Sequence, residues 1–108
     1  MADAEVGDWI EAALLADIAE GEAVAVELNG KRIAIFHVEG GEVYATDDWC
    51  THGAASLAEG FLDGCTVECP LHAGCFDVRT GQGLCEPIET PLATYAVSVR
   101  DGRILLLL

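Results

Sequence analysis

Two short runs constrain this chain more than anything else in it: Cys50-Thr51-His52-Gly53 and Cys69-Pro70-Leu71-His72. Each run holds one thiol and one imidazole, close enough for both to ligate from a single loop. A matched set of two sulfurs and two nitrogens suits a two-metal cluster. One iron then takes both sulfurs and the other both nitrogens, as when two His replace two Cys on one iron of a [2Fe–2S] centre. Two other readings stay open. Zinc also takes sulfur and nitrogen, but zinc modules usually pair Cys with Cys and His with His, whereas the types here are mixed. The remaining reading is two unrelated buried cysteines and two surface histidines.

With 108 residues the chain fits one domain with a single core, and 52% hydrophobic residues argue against disorder. Nineteen acidic residues against five basic ones leave a net charge of −14. Nucleic acid and anionic membrane are therefore poor partners, because both need a basic patch. A protein partner with a basic docking face fits, the charge steering the encounter more than tightening it. The first residues lack the basic and apolar regions of a signal peptide, and no apolar run approaches a membrane span. The expected location is the cytoplasm. In that reducing compartment five Cys read as metal ligands rather than as a disulfide framework.

Strand signals dominate the rest. A first strand is expected near Asp8 to Ala12 and a helical turn over Leu14 to Ala19. A hairpin follows from Ala23–Leu28 through Asn29-Gly30 to Ile33–Val38, and a third strand covers Val43–Thr46. From Asp47 to about Pro87 the composition turns to Cys and Gly, with room only for short strands near Cys65–Glu68 and Cys75–Val78. After Pro91 the pattern predicts one strand over Thr94–Arg100, a turn at Asp101-Gly102 and a closing strand over Arg103–Leu108. The expected fold is all-β: an antiparallel sandwich or barrel base (residues 1–46 and 88–108) with an inserted cluster-binding subdomain at about 47–87. Gly53 and Gly74 would allow close backbone approach to a cluster, or are ordinary loop glycines. Pro70 stiffens the second loop, and Trp49 either shields the site or packs in the core. Cys65, Cys75 and Cys85 read as small buried hydrophobes, and His37 as structural.

At Cys50-Thr51-His52-Gly53 and Cys69-Pro70-Leu71-His72-Ala73-Gly74-Cys75-Phe76-Asp77, with Thr80-Gly81, Leu84-Cys85 and Pro87 beyond them, the chain resembles a family. These runs are similar to the small Rieske ferredoxins of bacterial aromatic-ring dioxygenases of the naphthalene and biphenyl type, and the resemblance covers nearly the whole chain. It implies a Rieske fold, one [2Fe–2S] cluster per chain, Cys50 and Cys69 on one iron, and His52 and His72 on the other. It implies a one-electron carrier between an NADH-dependent flavoprotein reductase and a terminal Rieske oxygenase, with the imidazole edges facing solvent. Respiratory members of the wider family carry a disulfide between the ligand loops and hydroxyl donors to the cluster sulfurs. The matching positions here are Ala55 and Leu71 for the bridge, and Gly74 and Phe76 for the hydroxyls. A potential at the low end of the range of about −150 to +300 mV is expected.

With three His and two committed to the cluster, no two-His-one-carboxylate iron site can be assembled. Gly81-x-Gly83 has Glu86 where a dinucleotide fingerprint needs its third glycine. No nucleophile–base set is present either, so the expected job is electron transfer without substrate chemistry, by a monomer as the simplest state. The alternatives are a small Rieske subunit of another redox enzyme, such as a nitrite reductase, and a zinc-stabilised interaction module. His72→Cys is expected to give a cluster of lower midpoint potential or none; an unchanged potential by redox titration contradicts the ligand assignment.

Overall fold

The computed structural model describes residues 8–50, 55–70, 74–84 and 91–108. β1 (Trp9–Leu14) leads through a 3-10 turn at Leu15–Asp17 into β2 (Glu22–Leu28), β3 (Lys31–His37) and β4 (Val43–Asp47). A second 3-10 turn, Leu57–Glu59, precedes β5 (Phe61–Asp63), β6 (Thr66–Glu68) and β7 (Cys75–Asp77). The chain ends with β8 (Thr94–Tyr95), β9 (Val97–Arg100) and β10 (Arg103–Leu107). The strands form three antiparallel sheets, ordered β2-β3-β4-β8, β1-β10-β9 and β5-β6-β7.

The expected hairpins form, and their turns explain the register. Asn29 and Gly30 both take positive φ (52° and 77°), as do Asp101 and Gly102 (52° and 76°). Such two-residue turns match the twist of the flanking strands. The first sets Leu28 opposite Lys31, and the second joins β9 to β10 with Arg100 opposite Arg103.

β3 is buried on both faces. Its alternation sends Ile33 and Ile35 into a core with Ile18, Ala45, Ile104 and Leu106. Ala34 and Phe36 belong to a second core with Leu57, Val67, Cys69 and Phe76. Each large apolar side chain fully buried there stabilises by about 1.5–3 kcal/mol. One strand is thus the wall between the base of the molecule and the part that carries Cys50 and Cys69.

Three elements differ from the expectation. The strand predicted over Thr94–Arg100 is two strands, broken at Ala96: Tyr95 pairs with Ala45, whereas Val97 pairs with Leu106 in the other sheet. The spacing of Tyr95, Val97 and Val99 runs unbroken through that point, so the side-chain pattern carries no sign of the change of partner. β1 runs on to Leu14 past a bulge between Glu11 and Ala13, leaving only Leu15–Asp17 for the turn. β5 is not expected from its residues, since Phe61-Leu62-Asp63 shows no apolar–polar alternation; the structure exposes Phe61 and Asp63 and half-buries Leu62.

β7 ends in a turn built on Asp77. Its carboxylate accepts bonds from the Arg79 backbone N (2.9 Å), Nε (3.0 Å) and Nη2 (2.9 Å), and its carbonyl accepts from Gly81 N at 2.7 Å. The Arg79 guanidinium holds the Asp77 carboxyl below its ordinary value of 3.8. A lowered folded-state value contributes stability above the unfolded value and loses it as pH falls through the folded one. The pair is largely at the surface, so the effect is modest. By urea midpoint, wild type is expected to lose more stability than Asp77→Asn on going from about pH 5 to about pH 3.

Candidate metal centre

Two hairpins present the two cysteines in the same way. After β4, Trp49 pairs with Ser56, and the Cys50 backbone N donates to the Ala55 carbonyl at 2.9 Å. After β6, Glu68 pairs with Cys75 of β7, and the Cys69 N donates to the Gly74 carbonyl at 2.7 Å. In both cases the cysteine closes the base of its loop onto the residue five positions later. The expected imidazoles, His52 and His72, come two and three residues after their cysteines in sequence. Both histidines lie outside the described residues, as do Gly53 and Cys85.

Cys50 and Cys69 are both buried, 5% and 1% exposed, in one apolar cluster with Ala55, Leu57 and Phe76. Among the described residues no group of three or more metal-binding side chains assembles, since two of the four candidates are outside them. Two buried thiols at the bases of matched loops are donors of the right chemistry for the sulfur-bound iron of a [2Fe–2S] cluster. The arms that carry them abut. Gly60 follows the first loop, and a Cβ there would lie 2.1 Å from the carbonyl oxygen of Glu68, the residue before Cys69. Only glycine permits that approach.

Other sequence readings fare differently. His37 is buried, and its ring Nδ1 bonds the Ile18 carbonyl at 2.7 Å, a structural role. Trp49 is not a core residue. It is 51% exposed and lies under the Arg32 guanidinium, 5.1 Å from the ring centre. Cys75 is buried but is not a plain apolar filler: it is disulfide-bonded, which the compartment argument did not anticipate. Cys65 is a half-buried free thiol. Gly74 is buried and uses its carbonyl to close the second loop, and Pro70 is exposed beside Cys69.

The spacing argument missed the polar support beneath the first loop. Asp48, fully buried, accepts from Arg32 Nε at 2.6 Å and from the Ala58 backbone N at 2.9 Å. Its carboxylate raises the Arg32 guanidinium above its ordinary value. Asp47 beside it accepts from the Tyr95 hydroxyl; burial and that bond push Tyr95 up to about 12. The available signal was a pair of aspartates immediately before Trp49-Cys50 in a chain with few cations to pair them.

A β base with two matched loops, each built on a buried cysteine, is the architecture of one family. Residues 8–96 match the model of the Rieske [2Fe-2S] domain, and the chain belongs to that family. It carries a Rieske-type [2Fe–2S] cluster, which sets the zinc reading aside. Its relatives narrow the class to ferredoxins. The ferredoxin component of the naphthalene 1,2-dioxygenase/salicylate 5-hydroxylase systems of a Ralstonia species is 54% identical, over 92% of this chain and 94% of that one. The Sphingomonas yanoikuyae B1 ferredoxin superposes with a TM-score of 0.87 at 37% identity, over 94% of this chain and 99% of that one. A chain from the complex of reduced oxygenase and oxidized ferredoxin in carbazole 1,9a-dioxygenase gives 0.85 at 38% identity, over 92% of each chain. Among the described residues no helix is long and apolar enough to cross a membrane.

Gly60→Ala is expected to force the arms apart and cost about 1–3 kcal/mol. The check is the denaturant midpoint together with the rate at which the visible absorbance of the cluster fades. A midpoint within error of wild type would mean that the close approach is relaxed at no cost.

Proposed function

We propose that this chain carries single electrons from a flavoprotein ferredoxin reductase to the terminal Rieske oxygenase of an aromatic-ring dioxygenase system. Cys50 and Cys69 hold one iron, and His52 and His72 hold the other. The observation that carries this reading is the pair of hairpins, each closed by its own cysteine N–H, with both thiols buried in one cluster. Relatives named as ferredoxin components of dioxygenase systems support the choice of partner.

When bound, the cluster supplies one reversible electron. The protein's part is to hold and insulate it. The thiols sit in an apolar cluster with Phe76 and Leu57 behind them, so that side of the site is closed to water. In this reading the electron enters and leaves through the imidazole-bound iron, by way of His52 and His72. Exposed apolar side chains lie close in sequence and pairing: Trp49 precedes Cys50, and Leu84, whose N–H donates to the Cys75 carbonyl, adjoins the second hairpin. They offer apolar contact area beside the two cysteine hairpins, while the net charge of −14 selects a partner with a basic rim.

In this reading residues 1–46 and 88–108 are the base and about 47–87 the cluster-binding unit. The chain is a cytoplasmic monomer, binds neither nucleic acid nor membrane, and transforms no substrate itself. Protein from anaerobic, iron-replete growth is expected to be red-brown, with about two irons and about two acid-labile sulfides per chain, and to give an EPR signal on reduction. Added to an NADH-dependent flavoprotein reductase and an aromatic-ring oxygenase, it should raise product formation from background to a saturable rate. Pale, iron-free protein, or product formation indifferent to its addition, would refute the proposal.

A further inference from the structure

Arg32 and Asp48 lie outside the proposed ligand set, yet they form a demanding polar contact, a fully buried carboxylate paired with a guanidinium. A buried carboxylate is expensive unless it is paired and hydrogen-bonded. Asp48 has no side-chain exposure, and both of its oxygens are engaged, one by Arg32 Nε at 2.6 Å and one by the Ala58 N at 2.9 Å. Its backbone is held as well: Asp48 N donates to the Arg32 carbonyl at 3.0 Å, and the Asp48 carbonyl accepts from Leu57 N at 2.7 Å. Residue 48 therefore ties the start of β3 to the 3-10 turn at Leu57–Glu59. These anchor points straddle the first loop: Cys50 comes two residues after Asp48, and Leu57 two residues after Ala55, which closes the loop. The guanidinium, one-third exposed, lies over Trp49, between Asp48 and Cys50 in sequence.

We propose that Arg32 and Asp48 are positioning residues for the iron–sulfur cluster. They clamp both ends of the Cys50 loop, and they keep the buried carboxylate from acting on the cluster as an unbalanced negative charge. The inference rests on Cys50 being a ligand, as set out under the proposed function. Its electrostatic half follows from sign alone. Reduction adds negative charge to the cluster. An unpaired carboxylate two residues from Cys50 opposes that charge, and an unpaired guanidinium favours it.

The two single substitutions therefore pull in opposite directions. Arg32→Gln leaves the carboxylate unpaired and is expected to lower the midpoint potential. Asp48→Asn is nearly isosteric, keeps an oxygen for Ala58 N, leaves the guanidinium unpaired and is expected to raise it. Each shift is on the order of tenfold in the reduction equilibrium constant, about 59 mV for a one-electron couple. The Arg32→Gln/Asp48→Asn double variant should return close to the wild-type potential, and Arg32→Lys should lie between wild type and Arg32→Gln. Loss of the clamp is read separately, as faster fading of the cluster absorbance in Arg32→Gln than in Arg32→Lys.

A purely structural role would weaken cluster retention without shifts of opposite sign. Potentials that stay at the wild-type value, or move the same way in both single variants, overturn the proposal. If Arg32→Gln does not fold, Asp48→Asn and Arg32→Lys carry the same comparison. Cys50→Ser tests the underlying ligand reading on its own: retention of the native spectrum by that variant would sink the ligand assignment, whatever the Arg32 and Asp48 variants do.

Discussion

The structure depends on β3 being buried on both faces. A strand with period-two side chains can serve two apolar cores only if every position is apolar, and Ile33, Ala34, Ile35 and Phe36 meet that demand. The odd positions hold the base together; the even ones form the floor under the two cysteine loops. The two cysteines take their places from this arrangement. Phe36 and Ala34 lie in the same cluster as Cys50 and Cys69, so the thiols rest against the fully buried strand rather than at the end of an independent appendage.

Charge is managed with similar economy. All five cations of the chain lie among the described residues, and each is engaged within the molecule. Arg32 pairs with Asp48, Arg79 with Asp77 and Arg103 with Glu11, while Lys31 lies over the Tyr95 ring and Arg100 bonds the Ser98 hydroxyl. The acidic residues greatly outnumber these partners, so most of the negative charge is left to solvent. A surface of that kind repels copies of itself and attracts basic faces from a distance, which suits brief encounters with more than one partner.

Much of this was legible from the residues. Asn29-Gly30 and Asp101-Gly102 announce their hairpins because the backbone there needs positive φ. The mixed Cys/His pairs point to a [2Fe–2S] cluster, and the family match bears out that cofactor, while the residues that hold it belong to the proposal. What escaped notice is long-range. The handover at Ala96 depends on which strands lie on either side, information absent from a local alternation. Arg32 and Asp48 meet across 16 positions, and neither sits in a motif. Trp49 looked equally suited to the core or the surface; the guanidinium stacked on it decides the matter. The disulfide at Cys75 ran against an argument from compartment, which speaks of what is common rather than of what a given pair of sulfurs does.

The way the two hairpins close limits what the two cysteine amides can do. Because Cys50 and Cys69 commit their own amides to Ala55 and Gly74, those amides are already engaged in closing the loops. The segments that follow the two cysteines, 51–54 and 70–73, are each four residues long. The second segment begins with Pro70, which has no amide hydrogen, so it has one fewer to offer than the first. The two hairpins close in the same way but differ in the amide hydrogens their sequences carry beyond the cysteine.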